Sequence, residues 1–476
     1  MLQISEGEVR SRLGFDNPWW SGPQPTAYRY QHLPRRFYFQ AFKSLVCQRD
    51  VNRAVVLMGP RRVGKTVLVH HVVYDLLEAG NKAERILYLS METPVYTGMP
   101  LEKLLRLFMA MHEHSTEEPL YIFFDEIQYL KDWEVHLKSL VDSFPAFRFV
   151  ATGSAAAALR LKSVESGAGR FTDFVLPPLT FAEYIHFVGK DDRVSEEIEE
   201  NGKASFYRAS DIEDFNREFV NYLNYGGYPE AVLNDAIKEN SIQFIKSDII
   251  EKVLLRDLPS LYGIQDIQEL NRLFTVLAYN TGNEVSIEAL SSSSGVAKNT
   301  IKRYLEYLEA AFLIRRVNRV DINAHRMQRV TRFKVYLTNP SMRAALFGAV
   351  DLGSPAMGPL TETALYSQWM HSDAISSLHY AQWKQGEVDI VSLSPTQQKP
   401  QWCVEVKWSD RHARVRDELK AVVLFAQQHK MWLQENPLVT TRTIRDDLYI
   451  ADIGLRLRPA AEVVYTVGRN ILKKKA

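Results

Sequence analysis

Cysteine is almost missing from this chain, since Cys47 and Cys403 are the only two in 476 residues. They are far apart and have no metal-ligand or disulfide spacing, which excludes a disulfide framework and a zinc ribbon and fits a reducing compartment. An excess of charge is missing too. Fifty-eight Lys and Arg stand against 57 Asp and Glu, a formal net charge of +1, so overall charge predicts no polyanion partner and any nucleic-acid surface must be local. No run approaches the roughly 18 apolar residues of a membrane span. The first residues, Met1-Leu2-Gln3-Ile4-Ser5-Glu6-Gly7-Glu8, lack a basic segment followed by an apolar one. The expectation is a cytoplasmic protein with no membrane partner.

What is present is a globular composition, 46% hydrophobic and 24% charged. A chain of this length exceeds one hydrophobic core and predicts two to four domains. The stretch that organises it is Gly59-Pro60-Arg61-Arg62-Val63-Gly64-Lys65-Thr66, a complete phosphate-binding loop. Before it, Ala54–Met58 is a short apolar run of the kind that forms a buried parallel strand. After it, apolar residues recur at helical spacing from Thr66 to Glu78. Two glycines let the backbone wrap a polyphosphate, with N–H groups and the positive end of the helix dipole facing the anion. Lys65 would reach the β and γ phosphates of ATP, and the Thr66 hydroxyl would ligate Mg2+.

From 51 to 190, strands and helices alternate, predicting an α/β domain with a parallel sheet and its ligand at the carboxyl ends of the strands. Residues 1–50 are expected to pack on it as an arm. Leu120–Asp125 is an apolar strand that runs into Asp125 and Glu126, where Asp125 would hold Mg2+ opposite Thr66 and Glu126 would polarise the attacking water. A third strand ends in Thr152-Gly153-Ser154, placing the Thr152 and Ser154 hydroxyls where a sensor of the γ phosphate belongs. Arg170, after Ala168-Gly169, is the candidate arginine finger, in cis or from a neighbouring subunit; in trans it would require a homo-oligomer.

These motifs, followed by Gly226-Gly227-Tyr228-Pro229-Glu230 and Arg256-Asp257, resemble those of AAA+-like ATPases of bacteria and archaea. Proteins of that family carry a helical lid, a winged helix and a C-terminal nuclease-like domain of PD-(D/E)xK type. The resemblance extends over nearly the whole chain and implies an acidic insertion and lid at 191–267. It implies a winged helix-turn-helix at 268–352 and a restriction-endonuclease-like α/β domain at 353–476. After the Lys334–Leu337 strand the chain departs from the family, with Thr338-Asn339-Pro340-Ser341 where an aspartate and a glycine are usual.

The residues support two parts of this independently. From Lys298 to Lys334 there are ten Lys or Arg (298, 302, 303, 315, 316, 319, 326, 329, 332, 334) against Glu306, Glu309 and Asp321. Such local asymmetry predicts a DNA-phosphate surface on a helix-turn-helix. Beyond the Gly353–Pro359 linker, strand alternation puts Glu405 and Lys407 on one face, where Asp389 from the neighbouring strand can join them. Asp389 and Glu405 would ligate Mg2+ or Mn2+, and Lys407 would orient water or neutralise developing charge. Glu362 resembles the family's additional helix carboxylate and would complete one or two metal sites. Together these features predict an ATP-driven or ATP-gated DNA endonuclease suited to defence against foreign DNA. The alternatives are a nucleotide-dependent DNA-binding switch with an inert nuclease-like domain, and a signalling ATPase that works through protein contacts.

Overall fold

Short β-branched and aromatic runs, buried along most of their length, build the first sheet. A computed structural model of the chain describes residues 5–22, 29–153, 169–198, 205–325 and 332–475. The chain divides into two compact units, Met1–Pro177 with Lys475–Ala476, and Pro178–Lys474.

In the first unit, β1 (Ala54–Met58), β2 (Ile86–Ser90), β3 (Tyr121–Asp125), β4 (Arg148–Gly153) and β5 (Phe171–Val175) form a sheet in the order β2-β3-β4-β1-β5. All four pairings are parallel. That matches the expected architecture and brings the carboxyl ends of β1, β3 and β4 to one edge, with β4 between the other two. The core includes Leu104, Phe108, Ile122, Phe124, Trp133 and Phe149.

The N-terminal arm seals the free edge of β2. Asn17, fully buried, accepts from the Tyr88 N–H at 2.6 Å and donates to the Tyr88 carbonyl at 2.9 Å, as a neighbouring strand would. The indole N–H groups of Trp19 and Trp20 both donate to the Ile86 carbonyl. An edge left open would bury unpaired backbone groups or offer a template for pairing with another chain.

The first compact unit ends at Pro177. Helix Phe181–Phe187 belongs to the second unit because all but one of its side chains are buried there, and the Thr180–Glu183 capping box fixes its start. The acidic stretch that follows forms an antiparallel hairpin, β6 (Val194–Ile198) with β7 (Ser205–Ala209), attached to helix Ala460–Lys473 through Ala209 N–H to Glu462 and Tyr207 N–H to Thr466. Residues 212–262 are largely helical, with wide π-helical turns over Ile245–Glu251 and Val253–Asp257.

A nine-stranded sheet, ordered β15-β16-β14-β13-β12-β11-β9-β10-β8, spans the segments expected to be separate domains at 268–352 and 353–476. Its strands are β8 (Glu284–Ser286), β9 (Ile314–Val320), β10 (Arg332–Leu337), β11 (Leu378–Trp383), β12 (Gly386–Leu393), β13 (Pro400–Glu405), β14 (Leu438–Thr441), β15 (Asp446–Ile450) and β16 (Ile453–Pro459). The join is the parallel pairing of β11 with β9, Tyr380↔Arg319. Helices Ile267–Tyr279, Ile287–Ser294 and Lys298–Ala310 precede β9, and the expected linker runs directly into helix Met357–Gln368.

The glycine pair at 226–227 is explained by close approach. A Cβ on Gly227 would lie 2.2 Å from the Asn339 side chain, and one on Gly226 would lie 2.5 Å from Tyr222 Cα. Asn339, where the chain departs from the family pattern, is thus the residue seated against Gly227.

Candidate functional site

Two clusters carry chemistry, one in each unit. In the first, the loop after β1 bends through positive φ at Arg62 (63°) and Gly64 (92°), and helix Lys65–Glu78 starts at Gly64. Gly59 cannot be replaced without displacement, because a Cβ there would lie 2.2 Å from the Leu176 carbonyl oxygen. Lys65 is buried and donates to the carbonyls of Gly59 (3.1 Å) and Pro60 (2.8 Å). Buried Arg36 braces the loop from the arm, donating to the Val63 carbonyl at 2.7 Å and the Pro177 carbonyl at 2.9 Å.

At the end of β3, Asp125 gathers three hydroxyls. Thr66 Oγ1 donates to Oδ2 at 2.9 Å, Tyr88 Oη donates to the same oxygen at 2.8 Å, and Thr152 donates to Oδ1. Burial raises the Asp125 pKa, with the Glu126 charge adding, while the three hydroxyls oppose the shift. Glu126 turns the chain through φ 53°, its N–H donates to Thr152 Oγ1, and its carboxylate accepts from Gln128. Thr66, Asp125, Glu126 and Thr152 are therefore brought together as expected. Ser154 lies outside the described residues.

Arg170 is not brought to them. It stands just before β5, its carbonyl accepting from Ala54 N–H at the amino end of β1, and its guanidinium pairs with Asp142. The phosphate loop follows the carboxyl end of β1, about 16 Å away at the rise of a five-residue strand. Arg170 thus stands at the opposite end of β1 from the phosphate loop.

In the second unit, the pairing Ile390↔Val404 brings Asp389 and Glu405 side by side on β12 and β13. Lys407 Nζ lies 2.7 Å from Glu405 Oε1. Asp389 Oδ2 accepts from the Val406 N–H at 2.8 Å, and Glu362 arrives from helix Met357–Gln368. All the acidic and basic groups expected here are thus gathered, and Glu362, Asp389 and Glu405 are buried.

Three further residues complete the cluster. Lys334 Nζ lies 2.7 Å from Glu362 Oε1, 2.5 Å from Glu387 Oε1 and 3.0 Å from Asp389 Oδ1, and Tyr336 Oη donates to Glu362 Oε1 at 2.6 Å. The sequence signal was a lysine within an apolar strand and an acid two residues before Asp389, hence on the same face. Burial raises the Glu362 pKa to about 7 and the Glu405 pKa to about 8, each reinforced by the Asp389 charge and opposed by a lysine. Burial alone would lower Lys407, but Glu405 and Asp389 raise it above the ordinary lysine range.

The donor set is of the oxygen type that a divalent cation takes. Glu405 Oε2 is buried without a hydrogen-bond partner beside Asp389, and a crowded carboxylate pair calls for a cation or a proton. No ready-made cage of three or more His, Cys, Asp or Glu occurs among the described residues.

The basic stretch at 298–334 is less exposed in charge than its count predicts. Lys334 is buried in the carboxylate cluster, Arg316 pairs with Glu309, Arg319 and Arg332 pair with Glu284, and Lys298 pairs with Glu288. Lys302 and Arg303, on helix Lys298–Ala310, are exposed, while Arg326 and Arg329 lie outside the described residues. No helix among the described residues is long and apolar enough to cross a membrane.

Comparison with known proteins agrees with the first cluster. Residues 51–185 match the AAA domain family, and residues 216–352 match a domain of unknown function (DUF8612). The phosphate-loop region is thus similar to AAA domains, which supports a P-loop ATPase-like domain there. An uncharacterized protein of Haemophilus influenzae is 27% identical over 322 residues, 66% of this chain and 74% of its own. An uncharacterized protein of Methanocaldococcus jannaschii is 25% identical over 400 residues, 80% of this chain and 83% of its own. Among solved structures, the Walker-type ATPase of Pyrococcus abyssi aligns at a TM-score of 0.41 and 15% identity, over 67% of this chain and 97% of that one. The replication initiator DnaA bound to AMPPCP and single-stranded DNA aligns at 0.26 and 12% identity, over 56% of this chain and 86% of that one.

Proposed function

We propose that the chain is an ATP-gated, divalent-cation-dependent DNA nuclease. The observation that carries this reading is the convergence of Asp389, Glu405 and Lys407, with Glu405 Oε2 buried and unpartnered. Asp389 and Glu405 would hold Mg2+, or Mn2+ in its place, which supplies Lewis-acid stabilisation of the phosphate and lowers the pKa of water. Lys407 stays protonated beside them and would neutralise charge on the scissile phosphate. Strand β8 pairs with β10, and with helices Ile267–Tyr279, Ile287–Ser294 and Lys298–Ala310 this order supports a winged helix that presents Lys302 and Arg303 to DNA. Together with the sheet formed by β11–β16, the cluster supports a restriction-endonuclease-like domain.

In the ATPase domain, Lys65 would bind the β and γ phosphates, Thr66 and Asp125 would hold Mg2+, and Glu126 would orient the attacking water with Thr152 beside it. The close backbone approach at Gly59 and the hydroxyls gathered at Asp125 fit that role.

One observation favours the alternative of a DNA-binding switch with an inert nuclease-like domain: Lys334 already supplies a cation to Glu362 and Asp389. Incubation of supercoiled plasmid with the protein and Mg2+ or Mn2+, with and without ATP, separates the two readings. The nuclease reading predicts nicking that is lost in Asp389→Asn and Lys407→Ala, whereas cleavage surviving both substitutions, or none in the wild type with either metal, excludes it.

A further inference from the structure

Lys334 does not face solvent with the other basic residues of its segment; its side chain is 2% exposed. An ammonium group has three hydrogens to donate, and three separate carboxylates surround this one: Glu362 at 2.7 Å, Glu387 at 2.5 Å and Asp389 at 3.0 Å. The same oxygen of Glu362 also accepts from Tyr336 at 2.6 Å, and the second oxygen of Asp389 accepts from the Val406 N–H at 2.8 Å. One oxygen of Glu362, Oε1, is therefore shared between Lys334 and Tyr336. In Glu405, Oε1 meets Lys407 and Oε2 is buried with no hydrogen-bond partner.

Charge balance leads the same way. With the site loaded, Glu362, Glu387, Asp389 and Glu405 face Lys334 and Lys407, an excess of two negative charges. One divalent ion neutralises it, and a second would overshoot, at a cost that is high in a buried site.

Resting on the reading of this cluster as a divalent-cation site, we infer that Lys334 is a tethered cation that stands in place of a second metal ion. The site then takes a single divalent ion, held by Asp389 and Glu405. Glu362 and Glu387 are counterions of Lys334 and do not ligate the metal.

Mn2+ binding to the full-length, nucleotide-free protein tests this, with the ions that disappear in Asp389→Asn counted as belonging to the site. The wild type should bind one such ion, and Glu405→Gln should lose it. Glu362→Gln should keep it within about twofold, whereas Lys334→Met should take a second ion or bind at least about tenfold more tightly, the scale of change seen when groups around a metal are altered. Glu362→Gln leaves Lys334 in place, so it decides the matter even if Lys334→Met fails to fold. If Glu362→Gln weakens binding as much as Glu405→Gln, or the wild type binds two ions at the site, the tethered-cation role is overturned and the nuclease reading stands. Absence of any such ion in both the wild type and a folded Lys334→Met overturns both.

Discussion

Tyr88 donates its hydroxyl to Asp125 Oδ2 at 2.8 Å, the same oxygen that Thr66 reaches at 2.9 Å. Asp125 is thus held from two strands and a helix start before any ligand is considered. Tyr88 lies on β2, whose outer edge is sealed by Asn17, so the N-terminal arm, the edge strand and Asp125 form one chain of contacts.

Tyr88→Phe removes a hydrogen bond to a buried carboxylate, an interaction worth about 1.5–3 kcal/mol. Loss of stability in that range is expected in the unfolding transition that an ATP analogue shifts, which identifies the ATPase unit. An unchanged midpoint would show that Asp125 does not depend on Tyr88.

Asn17→Ala leaves the Tyr88 N–H and C=O without their partners at a buried edge. The same transition should lose about 2–6 kcal/mol, at roughly 1–3 kcal/mol for each orphaned group. Hydrogen exchange at the Tyr88 amide, faster in the variant, checks the cause.

Lys65→Ala should lower ATP turnover by at least about 100-fold, the scale of removing one preorganised group that stabilises transition-state charge. Arg170→Ala, assayed at protein concentrations where the chain is monomeric, should leave turnover within about twofold. A large loss in the monomer would restore Arg170 to the site of its own chain.

Much of this was legible in the sequence because the signals were local. The phosphate loop, Asp125 and Glu126 lie on contiguous stretches whose strand and helix flanks are set by simple periodicity. Asp389, Glu405 and Lys407 were readable because strand alternation fixes which residues share a face. Lys334 was misplaced for the opposite reason. It was counted with the basic residues around it, and only the parallel pairing of β11 with β9, a contact between distant segments, puts β10 in the same sheet as β12. The place of Arg170 was not legible because a motif's position in the chain does not say which end of a strand it occupies.

Gly227→Ala should destabilise the second unit, because its Cβ would lie 2.2 Å from Asn339. Overpacking of this kind costs about 1–3 kcal/mol. Pairing the change with Asn339→Ala should recover part of the loss in thermal unfolding, whereas simple additivity would place the strain elsewhere.

DNA binding should depend on Lys302 and Arg303 more than on Arg316 or Arg319, whose charges are paired within the unit. Replacing Lys302 and Arg303 together with Gln should weaken binding and flatten the plot of log affinity against log salt by about 0.9 per lost phosphate contact. An unchanged slope would remove this helix from the interface.

The central claim is that nucleotide state governs cutting at the second site, and plasmid nicking in Mg2+ with and without ATP, in wild type and Lys65→Ala, tests it most directly. The account predicts a nicking rate that ATP changes in the wild type and leaves unchanged in Lys65→Ala. Equal rates with and without ATP in a wild-type protein that both cuts DNA and hydrolyses ATP would contradict it.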